Sequence, residues 1–200
     1  MDITLLEALK KRRSVYSIGK NSTVRDEDIM ELLKQAVLHA PSAFNCQSGR
    51  AVVLFGAAHL KLWDITKETL RKRVPADKFR ATETKIGSFA AGHGTVLFFN
   101  DTSVTESLME KFPAYRDNFQ NWAQQAGGML QYAVWMLLEQ EGLGASLQHY
   151  NPLIDAEVSR TWKLPDSWQL LAEMPFGIIT ARPGEKEYQP LEHRLLSFNK

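Results

Sequence analysis

Four short polar clusters hold the residue types from which a chemical site could be built. Arg12-Arg13-Ser14 sets two guanidiniums beside a hydroxyl. Arginine forks grip phosphate oxygens in pairs and a serine adds a donor, so this is a candidate anion site. The same cations would also suit the C-terminal end of a helix, where the macrodipole favours them. Pro41-Ser-Ala-Phe-Asn-Cys-Gln-Ser-Gly-Arg50 has the turn formers of a plain loop, and it adds two carboxamides, Asn45 and Gln47. Carboxamides donate and accept together, which fits the edge of a heteroaromatic ring. Leu147-Gln148-His149-Tyr150-Asn151 gathers polar groups after the small-residue run Gly142-Leu-Gly-Ala-Ser146, and the tail carries Lys186, His193 and Arg194.

Several chemistries are absent by pattern. The histidines at 39, 59, 93, 149 and 193 are too scattered for a local metal pair, and the single cysteine, Cys46, cannot build a thiolate zinc site. No phosphate-binding Gly-x-x-x-x-Gly-Lys loop and no Gly-x-Ser-x-Gly elbow occurs. Gly142-Leu-Gly144 lacks the third glycine of a dinucleotide turn and follows a helix rather than a strand. No cysteine-protease signature surrounds Cys46, which reads as an inert, half-buried thiol.

The elements that must position these clusters can be read from periodicity. A first helix is expected over 4–11, capped by Asp2. Ile29, Leu32, Leu33, Ala36, Val37 and Ala40 share one face of a second, with Asp26, Glu27 and Asp28 at its positive end and Pro41 as its stop. The apolar runs 51–55 and 95–99 predict buried strands, separated by two helices that break near Pro75. A long helix over 119–141 is apolar on nearly all sides in its middle, which predicts a central or interfacial position. A strand at 145–150, a helix near 154–162 and a last strand over 174–181 are expected to follow, then a polar tail from 182.

The chain has 200 residues, 44% hydrophobic and 24% charged, with a net charge of +1. This suits one α+β domain over 1–200 with a sizeable core. Near-neutrality argues against coating nucleic acid or an anionic membrane. The longest apolar run, seven residues at 132–138, falls far short of the ~20 that a membrane span requires. No signal segment is visible at the start and one cysteine suits a reducing compartment, so the expected location is cytoplasmic.

Taken in order, Arg12-Arg13-Ser14, the Pro-Ser-x-x-Asn-x-Gln loop, Gly142-Leu-Gly-Ala-Ser-Leu-Gln-His-Tyr-Asn151 and Pro190-Leu-Glu-His-Arg194 resemble the nitroreductase family of flavin enzymes, in its small fungal and bacterial branch. The resemblance spans essentially the whole chain. It implies a mostly antiparallel sheet of four to five strands flanked by helices, in an intertwined homodimer with FMN in the interface clefts. It implies that Arg12, Arg13 and Ser14 hold the phosphate and ribityl end, joined by Arg194 and Lys186. Asn45 and Gln47 would lie at the flavin, that of the partner subunit included, and Leu147, Gln148 and His149 would line the ring. It further implies NADH or NADPH as donor and a nitroaromatic, quinone or similar small electrophile as acceptor. A flavin-binding regulatory protein is the alternative. Tyr16 stands where many members carry a basic residue, and Gln47-Ser48-Gly49 where many have Gln-Pro-Trp.

Overall fold

The computed structural model describes residues 4–199. The first helix, α1 (Leu5–Lys11), is capped by Thr4, whose hydroxyl accepts from the Glu7 N–H while the Glu7 carboxylate accepts from the Thr4 N–H. That reciprocal box replaces the cap expected at Asp2, which lies outside the described residues. After a two-residue strand β1 (Ile18–Gly19), α2 (Asp26–His39) buries Ile29, Leu33 and Ala36 as its periodicity predicts, leaving Val37 exposed at the edge of the stripe. Strands β2 (Gly49–Phe55) and β3 (Gly94–Asp101) flank α3 (Gly56–Arg71) and α4 (Phe79–Ala90). A helix not foreseen, α5 (Thr102–Lys111), then leads through 3-10 turns to α6 (Phe119–Gln140). Its apolar residues are too few to make a stripe, and Asp101 starts it by accepting from the Ser103 N–H.

Strand β4 is Leu143–Ala145, shorter than the strand expected over 145–150 and sharing only Ala145 with it; Gln148 adds an isolated bridge. Helix α7 (Asp155–Trp162) precedes β5 (Trp168–Ile179), which begins six residues before the predicted strand. Among the described residues this makes seven α-helices and one five-stranded antiparallel sheet, β1-β5-β3-β2, with β4 also on β5. No described helix is long and apolar enough to cross a membrane.

Side chains alternate across the sheet with period two, so each strand feeds two cores. Val96, Phe98, Ala172, Met174 and Phe176 face α2 and α6; Leu97, Phe99 and Leu170 face α3, α4 and α7. One acid interrupts the second face. Glu173 is 0% exposed, its Oε2 accepts from the Tyr150 N–H at 3.0 Å, and its Oε1 has no partner. Burial pushes this carboxyl up to about 8, and the nearby Asp155 charge adds to the rise.

An acid whose folded pKa is raised contributes its full stability below its unfolded value, near 4.5, and loses it as pH climbs toward 8. Glu173→Gln keeps the acceptor for Tyr150 and removes the charge. The variant is therefore expected to match the parent in thermal melts near pH 5 and to exceed it increasingly toward pH 8, by on the order of a few kcal/mol. Melting curves whose separation does not widen with pH would contradict a buried neutral acid here.

Candidate functional site

The end of α1 and the segment after α6 meet at one corner of the sheet. Gly142, at φ +76°, lets the chain turn sharply out of α6. Gly144 then passes so close to the first segment that a Cβ would stand 2.9 Å from Val15 Cγ1 and 2.8 Å from Ile179 Cγ1. That approach allows the Val15 N–H to bond the Ala145 carbonyl at 2.9 Å and brings Ser14 alongside Ala145. Gly142 thus serves the turn and Gly144 the backbone contact that joins the first and third polar clusters.

The two arginines there differ. Arg13 donates to the Gly184 carbonyl at 2.7 Å, tying down the start of the tail. The half-buried Arg12 lies with its guanidinium 4.6 Å from the Trp135 ring centroid, and among the described residues its guanidinium N–H groups have no acceptor. The indole N–H of Trp135 is buried and equally without one. A stacked guanidinium whose edge donors are unpaired has the chemistry to receive an anion. One turn beyond Trp135, Glu139 is 5% exposed; burial pushes its carboxyl up, against the pull of Arg182, Arg12 and Lys11.

In the third cluster, Leu147 is half-buried and His149 exposed, whereas Gln148 turns inward. Gln148 is 6% exposed, its amide donates to Ser146 Oγ at 3.0 Å, and its backbone exchanges two hydrogen bonds with Glu173. It fixes the segment from behind rather than presenting a side chain. Lys186 and Arg194 sit in the exposed tail. The Lys186 ammonium lies over the Tyr188 ring, and no described hydrogen bond or ion pair joins either residue to Arg12 or Ser14.

The Asn45–Gln47 loop occupies the opposite corner. Paired residues run Phe55, Gly94, Phe176, Ala145 and Ser14 across the sheet, while Gly49 lies six residues up β2 from Phe55. Four strand spacings of about 4.8 Å and six rises of about 3.4 Å separate Ser14 from Gly49 by roughly 28 Å. The two clusters therefore do not adjoin within one chain.

This loop is held in an unusual backbone. Phe44, Asn45 and Gln47 have φ of 56°, 49° and 51°, a region that costs L-residues other than Asn about 1 kcal/mol or more. The Ser42 hydroxyl accepts from the Gln47 N–H at 2.9 Å, and Arg50 donates to the Gln47 carbonyl at 2.6 Å while pairing with Asp101 at 2.9 Å. Burial pushes the Asp101 carboxyl up, but bonds from Ser103 and Ser167 and the Arg50 charge outweigh it and hold it below the usual range. Phe44, 52% exposed, packs against Phe112, Tyr115, Phe119 and Trp122 with ring centroids 4.8 to 6.1 Å away. A cavity of about 260 Å³ opens beside Gln47, Arg50 and Trp168. Cys46 between them is half-buried.

A family model described as the nitroreductase family matches residues 9–178, which include three of these four clusters and stop short of the tail. The chain belongs to the nitroreductase family. This nitroreductase-family chain is 37% identical to HBN1 of Saccharomyces cerevisiae over 187 residues, covering 92% of itself and 93% of that protein. Nitroreductase CinD from Lactococcus lactis, solved with chloramphenicol, superposes with a TM-score of 0.89 at 39% identity, over 98% of this chain and 100% of the other. CinD has also been solved with 4-nitrophenol. A family structure from Desulfovibrio desulfuricans, in complex with FMN, shares the fold at a TM-score of 0.68 and 20% identity, over 100% of this chain and 99% of the other. Membership supports an oxidoreductase.

Sequence reasoning missed Trp135, Glu139, Arg182, Glu173 and the Arg50–Asp101 lock. Glu173 was visible as a lone carboxylate inside the apolar run Leu170-Leu-Ala-Glu-Met174, whereas Glu139 stands at the polar end of its run, before Gln140 and Glu141. Arg50→Ala removes the lock. It is expected to lower stability by about 1.5–3 kcal/mol, the range for charge-assisted bonds, and to speed amide exchange over 44–48 ahead of the sheet. Exchange that accelerates equally in β3 would show that the effect is global rather than at the loop.

Proposed function

We propose that this chain is an FMN-dependent NAD(P)H oxidoreductase, acting as a homodimer on nitroaromatics, quinones or similar electrophiles. The observation that carries the reading is Arg12, stacked on Trp135 with its donors unpaired beside the exposed Ser14 hydroxyl. A phosphate monoester supplies the oxygens these donors lack and carries close to two negative charges at neutral pH. FMN, when bound, supplies the redox chemistry, accepting a hydride from a nicotinamide and delivering electrons to the acceptor.

The protein's own contribution is binding, orientation and exclusion of water. Arg12 and Ser14 grip the phosphate and ribityl end, with Arg13 fixing the tail through Gly184 so that Lys186 and Arg194 can reach the same end. Leu147 and His149 offer an apolar and a polar flank for the ring, held by the backbone pairing of Gln148 with Glu173. Asn45 and Gln47 offer amide donors and acceptors to the ring edge, and their strained backbone keeps them in one orientation. The exposed Phe44 ring, braced by four aromatics, gives a planar acceptor a face to stack on.

The distance between the two corners supports a site completed by a second copy. Exposed apolar residues fit that reading: Leu5, Leu6 and Leu9 on α1, Leu38 on α2, and Met129 and Tyr132 on α6. Helices α1 and α2 each pack on α6, so exposed apolar side chains occur on three connected helices.

Purified protein is expected to show flavin absorbance that bleaches under nitrogen on addition of NADH or NADPH and returns with a nitroaromatic acceptor. Colourless protein that takes up no FMN would end the reading. Arg12→Ala and Gln47→Ala should each lose at least tenfold in reductase activity, about 1.4 kcal/mol of binding or positioning. Co-refolding the two variants should restore activity toward half that of the parent in mixed dimers, because one of their two sites then carries neither change. Mixtures no more active than either variant would place both residues in a site within one chain.

A further inference from the structure

A cavity of about 550 Å³ opens where β3 runs into α5, and it shares no lining residue with the cavity beside Gln47. Its walls are α5, the 3-10 turns that follow and the first turns of α6. Glu106 on α5 and Asp117 in the 3-10 turns bring two exposed carboxylates to it. No lysine, arginine or histidine lines the cavity. Among the described residues neither acid is in an ion pair.

A second observation comes from the deep side. Asn100 also lines the cavity, is 6% exposed, and its Oδ1 has no hydrogen-bond partner. It continues the alternation of Val96 and Phe98, so its side chain stands on the face of the sheet that α6 covers. A buried amide oxygen without a donor is costly, and what it lacks is an N–H or O–H. Two unpaired carboxylates with no cation beside them call for positive charge. An ammonium group answers both needs, because it carries three donors, a positive charge and no acceptor. Gln120 and Gln124 on α6 and Gln169 on β5 add amide oxygens at the rim that can accept from the same ligand. The volume lies within the roughly 300–1,000 Å³ usual for small-molecule sites.

We propose that this cavity binds a small organic ammonium compound, its charged nitrogen shared by Glu106, Asp117 and the Asn100 amide oxygen. The site needs neither the flavin nor the second copy, so the proposal stands apart from the reading of the redox activity.

The test titrates full-length protein by calorimetry with 1,4-diaminobutane, and with 1,4-butanediol as its neutral counterpart. Neutral pH and roughly 0.15 M salt screen loose surface attraction. The diamine is expected to saturate a single site with a Kd near about 1 mM or below, and the diol to give no binding. Glu106→Gln and Asp117→Asn, at exposed positions, should fold as the parent does and each weaken binding about tenfold. Asn100→Ala should weaken it at least about threefold. Glu31→Gln, which removes an exposed acid of α2 that does not line the cavity, should leave binding unchanged.

A diamine that shows no saturable binding overturns the proposal, since water alone would then satisfy Asn100. Binding that survives both Glu106→Gln and Asp117→Asn, or that Glu31→Gln weakens equally, places the ligand elsewhere on the surface and overturns it too. Equal binding of the diol shows that charge is not recognised. A folded Asn100→Ala protein that binds as the parent does removes the deep contact and with it the site as proposed. If Asn100→Ala does not fold, the two exposed variants decide the matter.

Discussion

A strand buried on both faces must also have both edges paired, since an N–H or C=O left unmatched in a core costs more than the bond it would have formed. In this chain that strand is β5. It pairs with β3 from Trp168 to Phe176 and, at its far end, with β1 and β4. Gln148 extends the second edge through its bridge to Glu173. Three of the four polar clusters are placed by this one requirement, the tail being outside the sheet. Ser14 and Leu147–His149 arrive at one end of β5 because β4 must pair there, and the 42–48 loop arrives at the other because β2 enters the sheet beside β3. The sheet is therefore a spacer as well as a core.

Three arginines near these corners illustrate how burial and partners divide similar side chains among different tasks. Arg50 is enclosed, paired with a carboxylate and bonded to two carbonyls, so its charge is consumed within the fold. Arg13 has one carbonyl partner and serves as a tether. Arg12 rests on an aromatic face, which satisfies the flat side of the guanidinium and leaves its edge for something else. Only geometry separates the three, because an arginine in the sequence looks the same in each setting.

Much of the fold was legible because its signals are local. The face of α2 follows from the spacing of Ile29, Leu33 and Ala36, the strands from two short apolar runs, and α6 from its length. The miss at α5 has a plain cause: Thr102-Ser-Val-Thr-Glu-Ser-Leu-Met-Glu-Lys111 buries only Thr105 and gives periodicity little to register. The start of β5 was missed because Trp168-Gln-Leu-Leu-Ala-Glu173 mixes polar with apolar residues, and its status depends on a partner strand seventy residues away. Of the site, the residue types in the four clusters were visible, as was their family order. Their division into two distant corners was not, nor was the inward turn of Gln148, since both are set by pairing across the sheet. Trp135 looks like an ordinary member of an apolar helix until Arg12 is folded against it.

The left-handed backbone at Phe44, Asn45 and Gln47 carries one more implication. Glycine would adopt those angles without penalty, yet two of the three positions hold large side chains that resist them. Such a segment has nowhere comfortable to drift: small displacements leave it strained, and relief comes only by crossing to another basin of the Ramachandran map. The loop therefore behaves as a latch with discrete settings rather than as a hinge with a continuous range. An insertion or a ligand that pries the Gln47 carbonyl from Arg50 would trip it to a different shape, not merely loosen it.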